Sequence, residues 1–142
     1  MASIIKEVVV RAPAAKVWER VRDFGGLTGL APGFVTHCEL VEGARMVTFF
    51  NGMTIKEAFV ARDNARRRIA YSATGGRASH HNASAQIFEE GPEAARFVWI
   101  TDVLPDALAA YIEPMMVQGG AAMKAALERH QPAQKSSSGS PT

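Results

Sequence analysis

Residues 99–128 read WITDVLPDALAAYIEPMMVQGGAAMKAALE, and this stretch contains the change from strand to helix that decides the fold. Up to Val103 the residues are rich in β-branched and aromatic side chains, which is typical of a strand. Pro105 ends that strand, and from Ala107 to about His130 apolar residues recur at helical spacing. The pattern predicts one long final helix, whose apolar stripe consists of Leu108, Ile112, Met115, Met116, Met123 and Leu127.

Two adjacent glycines, Gly119 and Gly120, lie in the middle of this predicted helix. Glycine inside a helix costs about 1 kcal/mol relative to alanine, so the pair needs a structural reason. Two reasons are open. Either another element packs closely against the helix at this point, or the missing side chains leave space for something else.

Upstream of the final helix, the chain alternates between extended segments and turns. β-Branched residues from Ser3 to Arg11 predict a first strand. Pro13 then opens a helix that Gly25-Gly26 ends, and the next residues form at most a short helical segment. Five further extended segments precede the last strand. They lie at about 34–41, on each side of Asn51-Gly52, at 68–74 and at 79–89.

Asn51-Gly52 is a strong signal for a β-hairpin with a two-residue turn. With that turn, Met46 lies opposite Glu57, and paired residues share a face of the sheet. Arg45 and Lys56 on the other face belong more naturally in water. We therefore expect Glu57 to point inward, surrounded on its face by Met46, Ile55 and Phe59.

Each of the last three strands has one face that we expect to be buried. His81 lies on the inward face of its strand, and the adjacent His80 lies on the outer, more polar face, because side chains alternate along a strand. Two neighbouring histidines of one strand therefore cannot both bind one metal. The inward residues are Ile69, Tyr71 and Ala73, then His81, Ala83, Ala85 and Ile87, and finally Phe97, Trp99, Thr101 and Val103.

Composition restricts the classes of protein that this chain can be. Its 142 residues, of which 47% are hydrophobic, are enough for one domain, and we expect that domain at 1–131. Residues 132–142 hold little that could be buried, which predicts a disordered tail. A net charge of +2 is too small to indicate nucleic acid as a partner. A single cysteine, Cys38, excludes an internal disulfide framework.

Several expectations concern location and cofactors. No leader pattern and no apolar run of about 18 residues is found, so we expect no membrane span and a cytoplasmic protein. No HxH or HExxH spacing is present, so we expect no metal and no cofactor.

The element order resembles the polyketide cyclase/dehydrase and lipid-transport superfamily, whose helix-grip fold is shared with START domains and the major birch pollen allergen. The resemblance lies in the final strand and helix quoted above and in four earlier stretches: VWERVRDFGGLTGLAPG at 17–33, GARMVTFFNGMTIKEAFVARD at 43–63, RRIAYSATGG at 67–76 and HHNASAQIFEE at 80–90. It implies an α+β fold in which a curved, seven-stranded antiparallel sheet wraps around the C-terminal helix, with two short helices after the first strand. It also implies an apolar cavity between sheet and helix.

With such a cavity, the inward polar residues become candidates for chemistry. His81 and Glu57 are the candidate catalytic acid and base, because histidine titrates near neutral pH and a buried carboxyl has a raised pKa. The alternatives are a structural histidine and a glutamate paired with an arginine. The methionines are equally well explained as core. The expected ligand-binding residues are Tyr71, Trp99, Thr101, Phe59, Phe97, Met115, Met116 and Gly119.

These features favour a protein that binds a small hydrophobic molecule, aromatic or polyketide-like, as a carrier. The alternative is a cyclase or dehydratase that moves protons with His81 or Glu57. A third hypothesis is an interaction module that forms a homodimer through its outer sheet face, where Val98 and Ile100 are expected to be exposed.

Overall fold

The computed structural model describes residues 1–139, with side chains through residue 129. Seven strands and three α-helices follow one another in the order that the sequence predicts. The strands are β1 (Ala2–Val10), β2 (Val35–Val41), β3 (Ala44–Phe49), β4 (Thr54–Asp63), β5 (Arg68–Thr74), β6 (His80–Gly91) and β7 (Ala94–Leu104). The helices are α1 (Ala14–Val21), α2 (Leu27–Leu30) and α3 (Ala109–Gly139), the last preceded by a 3₁₀ turn at Asp106–Leu108.

The strands form one antiparallel sheet in the order β1-β7-β6-β5-β4-β3-β2. This curved sheet, the two short helices and the long C-terminal helix confirm the α+β helix-grip fold. The main core lies between the sheet and the helices, where Val17 and Trp18 of α1 pack with Ile87 and Phe97 of the sheet and Leu127 of α3.

The register of the β3–β4 hairpin differs from the prediction by one residue. The Phe49 N–H donates to the Met53 carbonyl at 2.9 Å, so three residues, not two, form the turn. Its last residue, Gly52, has φ +86°, which is typical of a three-residue hairpin with glycine in the left-handed region. Arg45 consequently lies opposite Glu57.

This register puts Arg45 inside the protein, where the prediction placed Met46. Arg45 is 6% exposed and Glu57 is 7% exposed. Met46 instead lies opposite Lys56 on the other face. Glu57 points inward as predicted, but its cross-strand neighbour is a buried cation.

The inward faces of β5, β6 and β7 are those that the sequence predicts, with His81 and Trp99 half-buried and the other residues of these faces buried. On the outer face, Val98 and Ile100 are half-buried, not exposed as expected. Strands on both sides cover part of their surface, since Ile5 and Ser84 flank Ile100. The homodimer through this face stays a prediction, which light scattering would test.

α3 is attached along one edge of the sheet, at β1. Lys6 forms an ion pair with Glu113 at 2.6 Å, and Lys124 Nζ donates to the Val9 carbonyl at 2.9 Å. Further along the helix, the backbone N–H of Arg11, just after β1, donates to Glu128 at 2.9 Å.

The start and end of α3 differ from the expected bounds. The α-helix starts at Ala109 after the 3₁₀ turn, and it runs to Gly139 instead of ending near His130. The predicted tail at 132–142 therefore begins inside the helix, and its positions 140–142 lie outside the described residues. No helix within the described part of the chain is long and apolar enough to span a membrane.

Candidate functional site

A cavity of about 490 Å³ lies between the sheet and α3. Most of its wall is apolar, and of the residues predicted as a site, His81, Glu57, Tyr71, Trp99, Thr101, Phe97, Met115 and Met116 all line it. Phe34, Phe49 and Met123 add to the apolar wall.

Arg45 and Glu57 line what we call the inner end of the cavity, and Phe24 lies behind Arg45. Arg45 Nε donates to Glu57 Oε1 at 2.8 Å, and Nη2 lies 2.7 Å from the same oxygen. Arg45 Nη1 also donates to the Phe24 carbonyl at 2.9 Å, and the guanidinium lies 4.0 Å from the centroid of the Phe24 ring. The guanidinium is thus held by a carboxylate, a carbonyl and an aromatic ring.

The ion pair determines the electrostatics of the inner end. Burial raises the pKa of Glu57, and the charge and hydrogen bond of Arg45 oppose this rise. This arrangement matches the alternative of a glutamate paired with an arginine. Sequence reasoning did not find Arg45, because the hairpin signal predicted a two-residue turn and so placed Arg45 on the outer face.

Tyr71 and Trp99 form a second polar contact in the cavity wall. Trp99 Nε1 donates to the Tyr71 hydroxyl oxygen at 3.1 Å. Burial raises the pKa of Tyr71, and the nearby negative charge of Glu57 raises it further. The hydroxyl therefore stays protonated at neutral pH, and since its oxygen already accepts from Trp99, its proton is available for a ligand.

Thr101 and His81 contribute the other polar groups of the wall. The side chain of Thr101 is 2% exposed. Within residues 1–129, neither its hydroxyl nor the His81 ring forms a hydrogen bond to another protein group. Burial lowers the pKa of His81, and the adjacent His80 lowers it further, so the His81 ring is neutral at pH 7.

Two predicted ligand-binding residues do not line the cavity. Phe59 is 38% exposed and packs edge-on against Phe24, with ring centroids 5.4 Å apart. The pairing of β4 with β5 shifts between Phe59 and Ala61, and such an irregularity changes the direction of side chains. Gly119 lies against Phe34: a Cβ on Gly119 would be 2.9 Å from Phe34 Cε2. Close packing thus explains this glycine.

The other end of the cavity, which we call the rim, is formed by Met53, the loop 75–78 and Tyr111. The Arg77 guanidinium lies 5.1 Å from the centroid of the Tyr111 ring, and the Tyr111 hydroxyl lies 4.0 Å from Met53 Sδ. Sequence reasoning missed the rim. Gly75-Gly76 predicts a break between strands but not which part of the chain lies opposite it.

The described residues contain no group of three or more histidine, cysteine, aspartate or glutamate side chains placed to hold a metal ion.

Sequence comparison adds the family to this geometry. The family model described as polyketide cyclase / dehydrase and lipid transport matches residues 1–129. The chain belongs to this family. No curated protein sequence matches it.

Solved structures agree with the fold of this polyketide cyclase/dehydrase and lipid-transport family member. The ZhuI aromatase/cyclase of Streptomyces sp. R1128 is 21% identical with a TM-score of 0.74, covering 99% of each chain. Truncated norcoclaurine synthase from Thalictrum flavum is 22% identical with a TM-score of 0.69, covering 90% of this chain and 91% of the other. An uncharacterised protein from Bacillus thuringiensis is 16% identical with a TM-score of 0.81, covering 89% and 98% respectively. At these identities the similarity establishes the fold alone.

Proposed function

We propose that this family member binds a small hydrophobic molecule, aromatic or polyketide-like, in the cavity between the sheet and α3. The observation that carries the proposal is an apolar cavity of about 490 Å³ with a few polar groups in its wall. Pockets of roughly 300–1,000 Å³ with this composition are typical of small-molecule sites.

Two features of the wall favour a flat ligand with a polar oxygen. Phe97 and Trp99 meet edge to face at an interplanar angle of 86°, and both line the cavity, so they offer aromatic surface to a ring. Tyr71 has a hydroxyl proton to donate, and Thr101 adds a second hydroxyl. The norcoclaurine synthase of Thalictrum flavum, of the same fold, has been solved with dopamine and hydroxybenzaldehyde, two aromatic compounds.

The methionines of α3 support a binding role for the same wall. Met115, Met116 and Met123 all line the cavity, and methionine side chains adapt their shape to irregular contents. A protein that binds a hydrophobic molecule in this cavity and releases it elsewhere acts as a carrier.

Binding is tested with purified protein and naphthalene-2-carboxamide, an aromatic probe with a carbonyl oxygen. We expect calorimetry to show binding, with weaker affinity in Tyr71→Phe and Thr101→Val because each removes a hydroxyl from the wall. Ser3→Ala, which removes a hydroxyl bonded to Asp102, is the control. Native mass spectrometry should also detect hydrophobic molecules that copurify. Absence of binding, or equal affinity in all variants, would contradict the proposal.

A second candidate function, cyclase or dehydratase activity, rests on His81. Its ring is neutral, half-buried and exposed to the cavity, as a general base requires. In this mechanism His81 takes a proton from the carbon beside a ligand carbonyl while Tyr71 donates a hydrogen bond to the carbonyl oxygen. The resulting enolate then attacks a second carbonyl carbon and closes a ring, and the alkoxide formed there takes the proton back from His81. Alternatively, the enolate expels a β-hydroxyl group, which leaves as water with the proton from His81.

Glu57 is the weaker candidate for this catalysis, because two nitrogens of Arg45 already contact its Oε1 atom. We therefore expect His81→Gln to lower the rate at which an aromatic β-hydroxy ketone loses water by about 10²-fold or more. Glu57→Gln, measured beside it, should act mainly through stability. Unchanged turnover in the His81 variant would exclude His81 as the base, and absence of turnover in the wild type would leave binding as the function.

A further inference from the structure

Charge is distributed unevenly along the cavity wall. The lining contains two arginines, Arg45 and Arg77, and one carboxylic acid, Glu57. Arg45 and Glu57 neutralise each other at the inner end. Arg77 at the rim forms no ion pair with any described residue. The wall therefore carries one uncompensated charge, and it is positive and next to solvent.

Arg77 also has a defined position at the rim. Its guanidinium stacks over the ring of Tyr111, which is 39% exposed and also lines the cavity. The Tyr111 hydroxyl in turn lies 4.0 Å from Met53 Sδ. A cation held on an aromatic face at the opening can meet a ligand that enters between these residues.

We propose that Arg77 binds a carboxylate of the ligand, whose apolar body lies in the cavity. This inference rests on the proposed function and specifies its ligand as an amphiphilic monoanion. A guanidinium matches a carboxylate in geometry and charge. A carboxylate at the rim also keeps part of its hydration, so it avoids the desolvation penalty of a buried ion.

The inner end cannot take the same group. A second carboxylate beside Arg45 would face Glu57, and two carboxylates in one buried site repel each other. The ligand therefore enters with its uncharged end first, where a neutral oxygen can accept from Tyr71, and its charged end remains at the rim.

Two matched probes test this orientation: naphthalene-2-carboxylate and the neutral naphthalene-2-carboxamide. We expect wild-type protein to bind the carboxylate more tightly in calorimetry at neutral pH and low salt. Arg77→Gln should lower the affinity for the carboxylate by about fivefold, as expected for a partly exposed charge pair. The affinity for the amide should stay unchanged. Arg68→Gln makes the same change at an exposed position at the other end of β5 and should alter neither affinity.

A variant with reversed charge at position 77 provides a second, independent test. Arg77→Glu should lower the affinity for the carboxylate further and raise the affinity for naphthalen-2-ylmethylammonium. An unchanged preference for the carboxylate in both Arg77 variants, or equal affinity of the wild type for carboxylate and amide, would overturn the inference and leave the proposed function in place. Failure of both probes to bind would overturn the proposed function as well.

Discussion

At the inner end of the cavity, Arg45 and Glu57 are buried and bonded to each other, whereas at the rim Arg77 has no acidic partner among the described residues. At both ends an arginine lies over an aromatic ring: Arg45 over Phe24 at the inner end and Arg77 over Tyr111 at the rim. The difference is the access of water. A buried charge has to be satisfied within the chain, while a hydrated one can stay free for a ligand.

This contrast indicates a division of roles between the two ends. Substitutions at the inner end should act mainly on folding, because each removes a partner from a buried group. Substitutions at the rim should act mainly on ligand binding. Substitutions at the two ends therefore test this division.

Arg45→Met should destabilise the protein by about 3–5 kcal/mol, because it leaves the Glu57 carboxylate buried without its partner. Urea unfolding measures this loss. The double variant Arg45→Met/Glu57→Leu removes both charges and should recover much of the stability. Equal losses in the single and double variants would show that the unpaired charge is not the cause.

Tyr71→Phe should cost about 1–3 kcal/mol, because the Trp99 N–H loses its acceptor inside the wall. Tyr111→Phe is the matched change at the rim, where the hydroxyl contacts only a sulfur at 4.0 Å. We expect the rim variant to change the free energy of unfolding by less than about 0.5 kcal/mol. Similar losses in the two variants would show that the Trp99–Tyr71 hydrogen bond is not the cause of the loss in Tyr71→Phe.

Gly119→Ala and Gly120→Ala test how tightly α3 packs beside the cavity. A Cβ at Gly119 would lie 2.9 Å from the Phe34 ring, and one at Gly120 would lie 3.4 Å from Val8 Cγ2. Alanine favours the helix by about 1 kcal/mol at either position, but at Gly119 overpacking costs about 1–3 kcal/mol. Thermal unfolding should therefore show Gly120→Ala as the more stable variant. The reverse order would contradict the close packing of Phe34 on α3.

The smallest expected effect is a pH dependence caused by His81. Burial lowers the pKa of its ring below the ordinary value of 6.5, so the unfolded chain binds more protons than the folded one just below that pH. Stability should therefore fall as the pH drops from about 6.5 towards the lowered folded-state value. Unfolding of wild type and His81→Gln at pH 7 and pH 5 measures this effect. A loss of the same size in the variant would exclude His81 as its source.

The inward faces of β5, β6 and β7 were predictable because alternation along a strand separates the two faces. Tyr71, Trp99 and Thr101 therefore line the cavity as expected. The register of the β3–β4 hairpin was not predictable from its turn motif, since one extra residue in a turn moves every side chain of a strand to the other face. Glu57 pointed inward in either register, but only the observed one places Arg45 beside it.

The rim was beyond sequence reasoning for a different reason. Met53, Arg77 and Tyr111 come from separate turns and a helix start, and only the pairing of the strands brings them together. Gly119 shows the same limit. Its place in the helix was visible, but its neighbour Phe34 lies far upstream, so contact and open space could not be distinguished.

The attachment of α3 has a mechanical consequence. The ion pairs that join described residues of α3 to the rest of the protein lie on the β1 side: Lys6 of β1 pairs with Glu113, and Arg11, just after β1, pairs with Glu128. On the opposite side, the helix touches Phe34 and Met53 by packing and a hydroxyl–sulfur contact. Ion pairs and hydrogen bonds therefore hold the helix on the β1 side, whereas its side facing α2 and the β3–β4 turn is held mainly by packing. Among the residues with described side chains, no ion pair joins α3 to α2 or the β3–β4 turn, so we expect a bulkier ligand to gain room on that side first.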